Sequence, residues 1–201
     1  MRFSAFVLMA FLFVGCSGVG VVATSDPLAK LNDAEDLFGR QDRPLIAERL
    51  IREAMAIYQE RGDSHGLGNA HREYADLLLS PSVSGKWEKF YRESGFQDKT
   101  VAYENRKGKA SEYYVKALDH YALAAEEVRN ANRYDSLTNV YFNMAYSHYQ
   151  LNDLAKACRF FDKTLGAYNE NIRRNPSAKP FAPSGTVAEL VALKKKQAGC
   201  A

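Results

Sequence analysis

The sequence predicts an all-α protein, and three observations carry that reading. Apolar residues recur at spacings of three and four through most of the stretch from Leu28 to Tyr168, which is the period of one helical face. Glycine, proline, asparagine and aspartate fall between those faces rather than inside them. Sustained two-residue alternation rich in β-branched residues, the mark of a strand, does not occur. Of the 201 residues, 46% are hydrophobic and 25% charged, ordinary for a globular chain long enough to bury a core. The net charge of +3, from 27 basic and 24 acidic residues, is too balanced for a dedicated nucleic-acid binder. Three cysteines exclude a disulfide scaffold.

Met1-Arg2 gives a short positive start, and residues 3–15 carry no charge. Such a run is too short to span a bilayer, which needs about 20 residues, but it fits the apolar region of an export signal. It ends in Phe13-Val14-Gly15-Cys16. Those four residues resemble a bacterial lipobox, with phenylalanine where leucine is usual. The resemblance implies a signal peptide over residues 1–15, lipidation of Cys16, and anchoring by acyl chains rather than by a helix. Ser17, which is not aspartate, implies the outer membrane by similarity to enterobacterial sorting. Residues 16–27 then read as a tether. The alternative is ordinary cleavage after Ala23, giving a soluble periplasmic protein.

The first helix is expected over residues 28–38 and a second over 44–60, separated by Gly39 to Pro44, with Pro44 in the first turn where its missing N–H costs nothing. Gly62-Asp63-Ser64 ends the second. A third helix over 66–79 stops near Ser80-Pro81. Asn130-Ala131-Asn132 and Asn152-Asp153 break the later helices. In the C-terminal segment, Thr186 and Glu189 have capping-box spacing, Val187, Leu190 and Val191 make an apolar stripe, Lys194 to Lys196 sit in the last turn, and Gly199 closes it.

Residues 139–165 carry a more specific pattern: Tyr141, Met144 and Ala145, then Ala157 and, four later, Phe161. This resembles a tetratricopeptide repeat (TPR), a helix–turn–helix unit of about 34 residues with large and small residues at fixed points. Thr164 and His148 depart from the usual pattern. A shift of 70 residues places Ala47, Ala54, Leu67, Asn69 and Ala75 on Ala117, Ala124, Leu137, Asn139 and Ala145. About two repeat units separate these segments, so either a degenerate repeat lies between them or one repeat carries an insertion near residues 81–108. The insertion is the preferred reading. The resemblance implies a TPR-like superhelix over residues 28–172, about three repeats, then a linker and a C-terminal capping helix over 173–201. A plain helical bundle is the alternative.

In TPR arrays the first helices of the pairs line a concave, partner-binding face. The residues there off the packing seam are Asn69, Arg72, Glu73 and Asp76, then Asn139, Phe142, Asn143, Tyr146, Tyr149 and Gln150. Asparagine both donates to and accepts from a ligand backbone, and tyrosine adds contact area with a polar tip. Glu73 and Asp76 spoil the cationic clamp that binds C-terminal carboxylates. Trp87, Phe90 and Tyr91 in the insertion either pack against the stack or form a second recognition element. Cys158 is either a small core residue or, after export, the disulfide partner of Cys200.

His65, His71, His120 and His148 have no metal-ligand spacing, and no nucleophile elbow, P-loop or paired-carboxylate signature occurs. The expectation is a non-catalytic envelope adaptor that binds proteins or peptides, with a lipid anchor, no cofactor, no metal, no nucleic acid and no small-molecule substrate. An enzyme with a site of unrecognised type is the remaining alternative.

Overall fold

The computed structural model describes residues 23–176 and 186–200. The apolar leader, Cys16 and most of the expected tether lie outside those residues, as does the middle of the expected linker. Every regular element among the described residues is a helix, so the all-α expectation holds.

Helices α1 (Pro27–Gly39) and α2 (Pro44–Arg61) form the first hairpin, each opening on a proline. Asp26 caps α1, its carboxylate accepting from Leu28 N at 3.0 Å. Gly62 ends α2 at φ 63°, in the left-handed region that glycine enters at little cost. Helix α3 (Ser64–Leu79) starts on Asp63, whose side chain accepts from Gly66 N at 2.8 Å. Its hairpin partner is not the next helix. Short helices α4 (Pro81–Ser84) and α5 (Glu88–Ser94) intervene, and α3 packs instead against α6 (Arg106–Asn130). That pair is antiparallel, because Ser64, Asn69 and Asp76 bond Glu127, Tyr121 and Tyr114 in turn. Helices α7 (Tyr134–Gln150) and α8 (Leu154–Arg174) make the third hairpin. Helix α9 (Val187–Gln197) lies against α8, with Lys195 Nζ 2.7 Å from Asp162 Oδ1. Its capping box is formed in both directions, Glu189 N to Thr186 Oγ1 at 3.2 Å and Thr186 N to Glu189 Oε2 at 2.7 Å.

Small residues set the helix spacing. Ala47, Ala54, Ala70, Ala75, Ala117, Ala124, Ala145 and Ala157 are each at most 1% exposed, which lets neighbouring backbones approach closely. The 70-residue shift thus superposes α2 on α6 and α3 on α7, buried alanine on buried alanine. Two glycines go further. A Cβ at Gly66 would stand 2.0 Å from Tyr58 Cδ1, and one at Gly68 would stand 2.6 Å from Tyr121 Cδ1. Aromatic rings from α2 and α6 therefore lie directly on the backbone of α3.

Residues 80–105 form no second long helix pair. They fold back with a core of Val83, Tyr91, Phe96, Val101 and Tyr103. Phe96, Val101 and Tyr103 reach that core from non-helical chain. Trp87 Nε1 donates to the Asp42 carbonyl at 2.8 Å, and Ser82 Oγ donates to Asp42 Oδ1 at 2.6 Å.

Candidate functional site: a groove across α1, α3, α7 and α9

Helices α3 and α7 run in the same direction, since Asn69 bonds Asn143 and, further along both, Asp76 bonds Tyr146. Beside them, α1 and α9 turn one face to the same space. Together they line a groove of about 1200 Å³. Its apolar walls are Leu28, Leu31 and Phe38 of α1, Phe142 of α7, and Val187 and Leu190 of α9. Its floor is polar and comes mainly from α3.

Asn69, Arg72, Glu73 and Asp76 recur on one face of α3 at spacings of three, one and three, and all four line the groove. Arg72 joins the two carboxylates: Nη1 donates to Asp76 Oδ2 at 2.9 Å and Nη2 donates to Glu73 Oε1. Asp76 Oδ1 also accepts from the hydroxyls of Tyr114 and, at 3.0 Å, Tyr146. Asn69 Oδ1 accepts from Tyr121 OH at 2.9 Å and from Asn143 Nδ2 at 3.0 Å. The Arg72 guanidinium stands 5.6 Å from the centre of the Tyr146 ring. This network ties α3, α6 and α7 to one another.

Glu73 is the strained member. It is 3% exposed, and its Oε2 has no hydrogen-bond partner among the described residues. Burial pushes its carboxyl up to about 7; Asp76 and Glu35 push the same way, and Arg72 opposes them. Burial raises Asp76 too, held back by Arg72 and the two tyrosine hydroxyls. Arg72 is held well above the usual arginine range by Glu73 and Asp76 despite its own desolvation. One buried guanidinium thus serves two buried carboxylates.

Of the residues expected on the concave face, Asn69, Arg72, Glu73, Asp76, Asn139, Phe142, Asn143, Tyr146 and Gln150 line this groove. Tyr149 is exposed on α7 but outside the lining. The expectation missed the whole contribution of α1, including Asn32 and Glu35, and that of α9. Leu28, Leu31, Asn32, Glu35 and Phe38 share one helical face, and that spacing was available in the sequence.

The insertion aromatics do not form one exposed face. Tyr91 is fully buried and stacks on Phe96 at 4.2 Å between ring centres. Trp87 is half-buried and bonded to Asp42, leaving Phe90 as the exposed one of the three. Of the two alternatives for these residues, packing therefore describes Tyr91 and, in part, Trp87, because the face that carries Tyr91 is the face that packs. Cys158 and Cys200 are joined by a disulfide, with Cα atoms 5.6 Å apart.

Among the described residues no group of three or more His, Cys, Asp and Glu is arranged to hold a metal. The histidines act as packing rings: His71 stacks on His120 at 5.3 Å and His148 on Phe160 at 5.4 Å. Burial takes His71 down to about 4. No described helix is long and apolar enough to cross a membrane. Among the described residues the fold and site define an all-helical protein with a polar-floored groove. No family model, curated protein or solved structure matches the chain.

Proposed function

We propose that this is a TPR-like adaptor of the bacterial envelope, lipid-anchored through Cys16, that binds an extended segment of a partner protein in the groove. The supporting observation is the groove's construction. The first helices of three successive hairpins, α1, α3 and α7, line it side by side, with α9 as a fourth wall. At about 1200 Å³ it exceeds the usual range of about 300–1,000 Å³ for small-molecule pockets. Its mix of apolar walls and amide-bearing helices suits a peptide, whose backbone needs both donors and acceptors. On this reading the segment 80–105 is an insertion between the two helices of the second repeat. The anchor reading rests on the placement of Cys16 at the end of the apolar leader.

A photo-crosslinking residue at Phe142, inside the groove, should trap a discrete partner in intact cells. The same residue at Leu123, exposed on α6, should not. Equal trapping from both positions refutes the groove. For the anchor, Cys16→Ala should move the protein from the membrane to the soluble fraction. An unchanged distribution refutes lipidation, and a wild-type protein already soluble and cut after Ala23 replaces it with the periplasmic alternative.

One observation favours a second reading. A buried carboxyl raised to about 7 in a groove is suited to general acid–base chemistry. Against it, the polar groups nearest Glu73 are already committed to one another through Arg72, Tyr114 and Tyr146. A catalytic Glu73 requires turnover that Glu73→Gln abolishes while peptide binding persists.

A further inference from the structure

We infer that the groove recognises a basic side chain, a lysine or arginine of an extended partner peptide, which settles between Glu35 of α1 and the Glu73–Asp76 pair of α3. This inference rests on the groove being a peptide site.

Charge on the floor is unbalanced. Glu73 and Asp76 share one cation, Arg72. Asp76 is well supplied, since Arg72, Tyr114 and Tyr146 all donate to it. Glu73 is not: one oxygen accepts from Arg72, and the other is buried without a partner among the described residues. A buried carboxylate left with an unsatisfied oxygen is costly unless a cation or donor reaches it. Across the groove, Glu35 is exposed on α1 and close enough to Glu73 and Asp76 to raise both. Three carboxylates thus line one groove beside a single guanidinium.

The missing partner is a second cation. The carboxylates are not grouped closely enough among the described residues to hold a metal ion, whereas the spread donors of a guanidinium or a flexible ammonium suit separated carboxylates. Lys194 of α9 also lines the groove, but it lies on the wall beyond α7, and neither Glu73 nor Asp76 feels it among its main influences. Within the groove a guest ammonium or guanidinium meets Glu73 at close range and low effective dielectric, where pairing is far stronger than in water. Peptide binding and charge recognition are then one event. The apolar walls take the flanking residues, and the floor selects the basic one.

The probe is a pair of end-capped, fluorescein-labelled peptide pools, identical except for a central arginine in one and its uncharged isostere citrulline in the other. Binding to the full-length protein is read by fluorescence anisotropy. The arginine pool should bind at least tenfold tighter. Glu35→Gln, on the exposed face of α1, should narrow that preference severalfold while leaving the circular-dichroism melt unchanged. Glu73→Gln should abolish it. If Glu73→Gln does not fold, the Glu35→Gln result alone decides. Equal binding of the two pools overturns the charge inference and leaves the peptide groove standing. So does a preference that Glu35→Gln and Glu73→Gln both retain. Failure of both pools to bind, with Phe142 crosslinks also absent, overturns the groove itself.

Discussion

Replacing Gly66 by alanine tests the packing that holds the first two hairpins together. The added Cβ would sit 2.0 Å from Tyr58 Cδ1, with Cε1 and Cγ at 2.2 and 2.5 Å. Carbon atoms in contact prefer about 3.5–4.0 Å, so the ring must retreat by about 1.5 Å. The Tyr58 ring is buried against the core and has little room to do so. Overpacking of this kind costs about 1–3 kcal/mol. Alanine returns at most about 1 kcal/mol of backbone entropy. With a contact as short as 2.0 Å the cost lies at the upper end of that range, so the net loss is about 2 kcal/mol, or about 4–8 °C in a chain of this size. Gly166, inside α8, has nothing within 4 Å of its Cβ position, so Gly166→Ala should instead gain about 0.5–1 kcal/mol. Urea and thermal melts followed by circular dichroism read both signs. Tyr58→Leu combined with Gly66→Ala should cost less than the sum of the two, because removing the ring removes the clash. A Gly66→Ala protein that melts at or above the wild type refutes the contact of Tyr58 with α3.

Two further expectations concern the acid in the groove and the last helix. Glu73 is raised by burial from 4.5 to about 7, so its protonated form favours the fold; its contribution is complete below about pH 4.5 and lost as pH rises through about 7. The stability of Glu73→Gln relative to wild type should therefore climb between pH 5 and 7, by up to about 1.4 kcal/mol per pH unit, and level off above. Urea midpoints at pH 5, 6, 7 and 8 read the gap, and a constant gap refutes the raised carboxyl. The Cys158–Cys200 disulfide closes 42 residues of sequence, which corresponds to about 4 kcal/mol of chain entropy. The double substitution Cys158→Ser and Cys200→Ser should raise hydrogen exchange through α9 while leaving α1–α3 protected; unchanged protection in α9 means its capping box and Val191 hold it without the bridge.

What could be read from the sequence was local. Pro44 at a helix start, Gly62 at a helix end, and Thr186 with Glu189 in a capping box act within one turn of chain, so their spacing suffices to find them. The alanine pattern was also legible, because close helix approach forbids larger side chains at those points. The partner of α3 was not determined by anything local: it lies beyond residues 80–105, and only the 70-residue match of α2 to α6 pointed to it. Phe96, Val101 and Tyr103 reach the core from irregular chain, where no period exists to reveal them. In the groove, the type of residue was legible and its state was not. Asn69, Arg72, Asp76 and Tyr146 carry the expected donors and acceptors, but most of these are spent on one another. Glu73 Oε2, Arg72 Nε and His65 Nε2 are the lining atoms left buried without a partner among the described residues; the sequence places Glu73 on the groove face but cannot show that one of its oxygens is unpaired.

Helix α3 carries two polar networks on different faces, and this explains how a stack of hairpins accommodates a 26-residue interruption between α3 and α6. One network is the groove floor. The other centres on Glu48 of α2, which is 1% exposed. Its Oε1 accepts from Tyr74 OH at 2.8 Å and from Gln97 N at 2.7 Å. A buried carboxylate is tolerated only when such donors compensate its desolvation, and here burial still raises its carboxyl. The donors come from α3 and from the insertion, so Glu48 fixes the insertion to the helix that forms the groove floor. Asp42 does the same from the α1–α2 turn, through Ser82 and Trp87. The segment is therefore fastened to the first hairpin by part-buried polar contacts rather than left as a loop, and its Ser80 and Pro81 join the groove lining. On the proposed reading, a segment that lies between two helices of one pair contributes to the wall of the groove.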